Sequence, residues 1–123
     1  ANVECRCGDL EREEPPAGER FDAVVSAMTF HHLREPRLML GKWAEMLDPG
    51  GWVAVADLEP EDGTFHDDPT GIFHHGFAAA DVLRWMGEAG LSDGRVETVH
   101  LIHKDGPGGV REYPVFLATA RKA

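Results

Sequence analysis

The sequence predicts an α/β fold with central parallel strands and a C-terminal antiparallel hairpin, and three observations lead there. Asp22–Ala27 and Trp52–Ala56 are short, nearly continuous apolar runs, the pattern of strands buried on both faces of a parallel sheet. A helical stripe of apolar residues separates them, which gives strand, helix, tight turn and strand in succession. Beyond Gly90, two strand-like stretches flank a glycine-rich turn, the signature of a hairpin.

Each element follows from local chemistry. Val3, Cys5 and Cys7 alternate with polar neighbours, which predicts a short strand ending at Gly8-Asp9. Glu11 to Arg20 is an acidic, proline-bearing connector and reads as a loop. Pro36 suits the first turn of a helix. Met39, Leu40, Trp43 and Leu47 then make one apolar stripe, with Lys42 and Glu45 off it. Asp48-Pro49-Gly50-Gly51 stops that helix before the strand Trp52–Ala56, which ends at Asp57. Leu58 to Gly76 is a long polar loop with repeated turn-forming pairs, a length usually tied to function. A second helix is expected over Ala79–Ala89, with Val82, Leu83 and Met86 inward and Gly90 as a left-handed cap. The hairpin is expected to pair Arg95–His103 with Tyr113–Arg121 around the turn Lys104–Gly109.

A length of 123 residues supports one domain with one modest core, so residues 1–123 are read as a single domain. The net charge of −10 disfavours nucleic acid or an anionic membrane as a partner, because no basic run offsets it. Cys5 and Cys7 are too close for an ordinary disulfide and too few for a zinc site, so reduced, half-buried thiols are expected. Together with the lack of a signal peptide or a membrane-length apolar run, this suggests a cytoplasmic protein.

Three pieces in fixed order carry a family likeness: Asp9-Leu10 after a strand; Phe21-Asp22-Ala23-Val24-Val25-Ser26 running into Phe30-His31-His32-Leu33; and Leu47-Asp48-Pro49-Gly50-Gly51-Trp52 leading into Val53–Leu58. The ordered set resembles the second half of the small-molecule class I S-adenosylmethionine-dependent methyltransferases, and Tyr113–Lys122 resembles their last strand. The resemblance covers essentially the whole chain and implies a partial, Rossmann-like methyltransferase fold. Ligands in such sheets bind beyond the carboxyl ends of the strands. It further implies S-adenosylmethionine as cofactor, with Asp9 accepting a hydrogen bond from the adenine amino group and the Leu10 amide meeting a ring nitrogen. Ser26, Ala27 and Met28 would line its methionine end. Of His31 and His32, one would face the ligand and the other serve structure, the resemblance not saying which. His31 is carried as the cofactor-side residue and His32 as a substrate-lining one.

Methyl transfer needs in-line positioning, plus a base where the acceptor must lose a proton. Asp57, His66 and His74 are the candidate catalytic residues, with His75 and, as a poorer choice, Glu59 behind them. His32, Glu59, Phe65 and His75 are candidates to line the substrate; Phe65, Phe73 and Phe77 suggest an apolar acceptor wall, though core packing explains each about as well. The spacing of His66-Asp67-Asp68 and His74-His75 matches no established ligand pattern, so no metal is expected. The acceptor is expected to be a small molecule, and whether N, O, S or C is methylated cannot be read from the chain.

The family's Gly-x-Gly turn after the first strand has no counterpart, nor has the acidic residue that grips the ribose. Gly106-Pro107-Gly108-Gly109 precedes no helix and cannot replace it. The expectation is therefore an N-terminally truncated domain that binds the cofactor weakly alone. Asp22–Ala27 would then be an open sheet edge, seeking a second copy, a complementing N-terminal half or the Val3 strand. A non-catalytic methyltransferase-like interaction module is the alternative. A nicotinamide-dependent reductase would need the same absent glycine turn.

Overall fold

A computed structural model describes residues 2–14, 18–106 and 108–123. In chain order the elements are β1 (Phe21–Ala27), a 3-10 turn (Phe30–His32), α1 (Pro36–Met46), β2 (Leu47–Leu58), α2 (Ala79–Glu88), β3 (Leu91–Gly106) and β4 (Gly109–Lys122). They form a four-stranded sheet in the order β1-β2-β4-β3. β1 runs parallel to β2, while β4 is antiparallel to both β2 and β3. The predicted parallel pair and terminal hairpin are both present.

The β1–β2 connection explains the pairing. Pro36 opens α1, where its missing N–H costs nothing. Met39, Leu40, Trp43 and Ala44 bury one helix face, and Leu47 continues the same stripe into β2. No side chain caps α1 from the preceding residue. Instead, Glu11 reaches in from the connector and accepts hydrogen bonds from the Arg34 and Glu35 amides. Lys122 closes the other end by donating to the Ala44 and Leu47 carbonyls, at 2.8 and 2.7 Å. Asp48–Gly51 loops out of the ladder, since Phe21 pairs with Leu47 whereas Ala23 already pairs with Trp52.

One core fills the space between the helices and the sheet. It joins Phe30, Leu40, Trp43, Val53, Val55, Phe77, Val82, Met86, Phe116 and Ala118. A smaller cluster of Leu58, Tyr113 and Val115 packs with Met28, Phe65 and Ile102.

Several expectations need correction. Residues 2–9 form no strand and lie exposed, because among the described residues no strand pairs with them. Cys5 and Cys7 are accordingly free and exposed rather than half-buried. β1 is largely exposed rather than buried on both faces, because it is an outer strand, and Val25 is 76% exposed. α2 buries Val82 and Met86, but Leu83 stands at its margin. Gly90 does take the left-handed conformation, with φ 85°. The hairpin strands extend well beyond their expected limits and narrow the turn. Pro107 of that turn, and Pro15, Pro16 and Ala17 of the connector, lie outside the described residues.

Candidate functional site

Parallel pairing brings the carboxyl ends of β1 and β2 to one edge of the sheet. The chain leaves β1 sharply there. Met28 has φ 54°, a left-handed conformation that costs a residue with a side chain roughly 1–2 kcal/mol. Its amide donates to the Ala56 carbonyl at 2.9 Å, which fixes the bend against β2. The 3-10 turn that follows drops His31 onto the end of β2.

Asp57 receives it. His31 is 2% and Asp57 0% exposed. His31 Nδ1 lies 2.7 Å from Asp57 Oδ1, and the His31 amide donates to Oδ2 at 3.0 Å. The Leu58 amide donates to Oδ1 at 2.7 Å. Three contacts on one buried carboxylate offset the desolvation that would otherwise make it untenable. An ionised carboxylate only accepts, so Nδ1 of His31 carries the proton and Nε2 is the free ring atom. This geometry makes Asp57 the group that orients His31, with no accepting position pointing at solvent.

The long loop returns over this pair. Phe73 donates its amide to the His31 carbonyl at 3.0 Å, and His32 Nδ1 donates to the Gly71 carbonyl at 2.9 Å. His66 arrives from the same loop. Its ring centroid lies 4.8 Å from that of His31 and 6.2 Å from that of His32, and the latter two are 4.3 Å apart. The Nε2 atom of His66 is buried and has no hydrogen-bond partner. Burial first, then the neighbouring His31 and His32, hold its pKa below the ordinary histidine range. His66 is therefore a neutral imidazole at neutral pH, its Nε2 buried and its ring tilted at 45° against that of His31.

The other expected residues divide between this edge and elsewhere. Ser26 places a buried hydroxyl without a partner at the end of β1. Ala27 is exposed and Met28 half-buried beside it. Phe65 stacks edge-on between His66 and Tyr113, with centroids at 4.9 and 5.0 Å. His74 packs against Phe77 at 5.1 Å, its Nε2 buried and unpaired. His75 is exposed and lies beside Gly63, and its carbonyl accepts the Glu61 amide. Glu59 turns to β3, where its carboxylate accepts the Thr98 hydroxyl. Phe77 is a core residue, in contact with Phe30 and Phe116, and so forms no acceptor wall. Phe73 is half exposed under the Arg34 guanidinium.

Asp9 is exposed and engaged locally: it accepts the Glu11 amide at 3.0 Å and pairs with Arg12 at 3.5 Å. Leu10 lines a groove of about 440 Å³ with Phe21, Met39, Lys42, Trp43 and Met46. The lining of that groove includes neither Ser26–Met28 nor His31, His32 and His66. Among the described residues, no three His, Cys, Asp or Glu side chains are grouped to hold a metal ion.

Residues not singled out from the sequence complete the site. Glu61 accepts the Gly63 and Phe65 amides on Oε1, at 2.7 and 3.2 Å, and leaves Oε2 buried without a partner. Lys104, Arg111 and Tyr113 on the hairpin also hold the loop. Glu61-Asp62-Gly63 reads simply as a turn, and only tertiary pairing reveals these roles.

Comparison with known proteins bears on the family and the fold. Residues 1–55 match the sequence profile of a family described as a methyltransferase domain. The chain is 33% identical over 91 residues to an uncharacterised methyltransferase of Schizosaccharomyces pombe; the match takes in 68% of this chain and 32% of the yeast protein. The chain thus spans about a third of the length of that relative. Among solved structures, the N-terminal domain of EvdMO1, crystallised with SAH and D-fucose, superposes with a TM-score of 0.68 at 19% identity, over 99% of this chain and 56% of that one. Phosphoethanolamine N-methyltransferase 2 of Haemonchus contortus, in complex with S-adenosyl-L-methionine, gives 0.65 at 14% identity over 94% and 36%. The [4+2]-cyclase SpnF gives 0.59 at 17% identity over 95% and 54%. The fold is the Rossmann-like one of these proteins, in part.

Proposed function

We propose, from the premise that the chain belongs to the methyltransferase-domain family, that its histidine-lined sheet edge serves methyl transfer from S-adenosylmethionine to a small-molecule acceptor. The observation that carries this reading is the buried Asp57–His31 pair stacked against a desolvated, unpartnered His66 at the carboxyl ends of parallel strands. When bound, the cofactor supplies a methyl group already activated on a sulfonium. The chain's own part is to position and to manage a proton.

On the methionine side the residues fit. Ser26 offers a buried hydroxyl with no partner, and the chain bends away from β1 just beyond it at Met28. On the adenine side they fit less well, since the Asp9 carboxylate is already used in its own turn. Asp57 fixes the His31 tautomer and so sets a stable wall. His66 Nε2 is free to take a proton from an acceptor N–H or O–H when the loop parts to admit it. A neutral imidazole of lowered pKa is in the correct state for that role at neutral pH. His74 and His75 would contribute from the loop's return, and His32 and Phe65 would border the acceptor. A soluble small molecule in the cytoplasm is the partner we favour; no helix among the described residues is long and apolar enough to cross a membrane.

The occupied Asp9 carboxylate favours a second reading, a non-catalytic interaction module. It also implies weak cofactor binding by these residues alone. Isothermal titration of S-adenosylmethionine into the purified chain should give a dissociation constant weaker than ~100 μM, above about −5.5 kcal/mol. Low-micromolar binding would overturn that expectation. In a preparation that transfers methyl groups, His66→Ala should lower turnover by roughly 10²-fold. Unchanged turnover would remove His66 from the proton step.

A further inference from the structure

His66 has no hydrogen bond of its own on Nε2, yet its ring sits at a defined place in the stack. Something else must hold it. The four residues before it are fastened to the β3–β4 hairpin from several directions. Arg111 donates to Asp62 and to the Thr64 hydroxyl, each at 2.8 Å. Thr64 Oγ1 also bonds the Tyr113 hydroxyl at 2.8 Å. Lys104 donates to the Phe65 carbonyl, and its ammonium lies 4.2 Å from the centre of the Phe65 ring. Phe65 in turn packs edge-on against Tyr113 on one side and His66 on the other.

We infer that the hairpin residues Lys104, Arg111 and Tyr113 are positioning residues for His66, acting through Asp62, Thr64 and Phe65. Among the described residues none of the three hydrogen-bonds His66 itself, although the Lys104 charge helps hold its pKa down, and each is separated from its loop partner by 39 to 49 residues in the chain. A lone exposed ion pair such as Arg111–Asp62 does little, because solvent screens it and the long side chain loses freedom. Here the pair is one strand of a network that also ties a hydroxyl, a backbone carbonyl and an aromatic ring. Such networks couple their members, so loss of one link reaches the others. The Thr64 hydroxyl first, and then the Arg111 guanidinium, hold the Asp62 carboxyl down at about 2, so the link stays charged through the physiological range.

The assignment deepens the proposed role of His66 and rests on that reading only for its meaning in catalysis. Its test needs neither cofactor nor acceptor, so it can fail or succeed independently. In NMR of the purified chain, the His66 ring proton should titrate below ordinary histidine and show a nuclear Overhauser contact to the His31 ring. Arg111→Met should raise the His66 titration midpoint toward the ordinary value, since a released ring regains water, and should weaken that contact at least about two-fold. Asp62→Asn breaks the same link should Arg111→Met fail to fold. Arg111→Lys, which keeps the charge, should retain most of the native midpoint. Exchanging the charges with Asp62→Arg and Arg111→Asp should restore part of it. Arg37→Met, which breaks an ion pair with Glu88 elsewhere, should leave His66 unmoved. A His66 midpoint and ring contact unchanged by Arg111→Met, or moved equally by Arg37→Met, would overturn the assignment.

Discussion

At the scale of single residues, Asp57 is the most instructive. Its place at the end of an apolar strand was readable, but its pairing with His31 was not. What the sequence could not convey is that two backbone amides and an imidazole already occupy it. That depends on the Met28 bend, and nothing in the residue type of Met28 announces a left-handed φ. The histidine pair divides into unlike members: His31 is buried on Asp57, while His32 is exposed and tied to Gly71. Replacing Asp57 with Ala would strand three buried donors in the core. Loss of a buried, multiply bonded carboxylate costs on the order of 3 kcal/mol. Equilibrium denaturation in urea should show that loss as a lower midpoint with an unchanged slope.

At the scale of elements, the helix and strands of the middle of the chain were legible because their patterns are local. Met39, Leu40 and Trp43 recur at helical spacing, and Val53 and Val55 sit within an unbroken apolar run. The Val3 segment misled because alternation signals a strand only when a partner exists to bond with it. Of the two places open to Phe77 it takes the core, because its loop re-enters there and donates the Phe77 amide to the Leu58 carbonyl at 2.9 Å. Gly76 makes that re-entry possible. Its φ is 85°, and a Cβ there would overlap the Glu59 carbonyl. Gly76→Ala therefore combines left-handed strain with a backbone clash, for a cost of roughly 2–3 kcal/mol. The measurable outcome is a lower thermal midpoint together with faster proteolytic cleavage between residues 59 and 76. Native-like resistance would show that the loop base tolerates the side chain.

At the scale of the whole molecule, the general architecture was legible but the strand order was not. Sequence spacing predicts which strands are neighbours in the chain, whereas β4 lies between β2 and β3. On the far side of β2, β1 presents its outer edge, and among the described residues no strand covers it. We propose that this edge associates with a second copy of the chain, or with a complementing segment. Light scattering at rising concentration should reveal a dimer that Val25→Lys weakens, because a charge on an edge strand opposes pairing. A monomer at all concentrations would count against it. The position of β4 has a consequence for how the molecule assembles. As the fourth strand in order of synthesis and an inner one in space, it must arrive before β2 and β3 belong to one sheet. The loop that carries His66 waits for the same strand, since Arg111 and Tyr113 stand on it. Contacts this distant in sequence form slowly. The histidine cluster is thus expected to take shape late on folding, after the β1–α1–β2 unit.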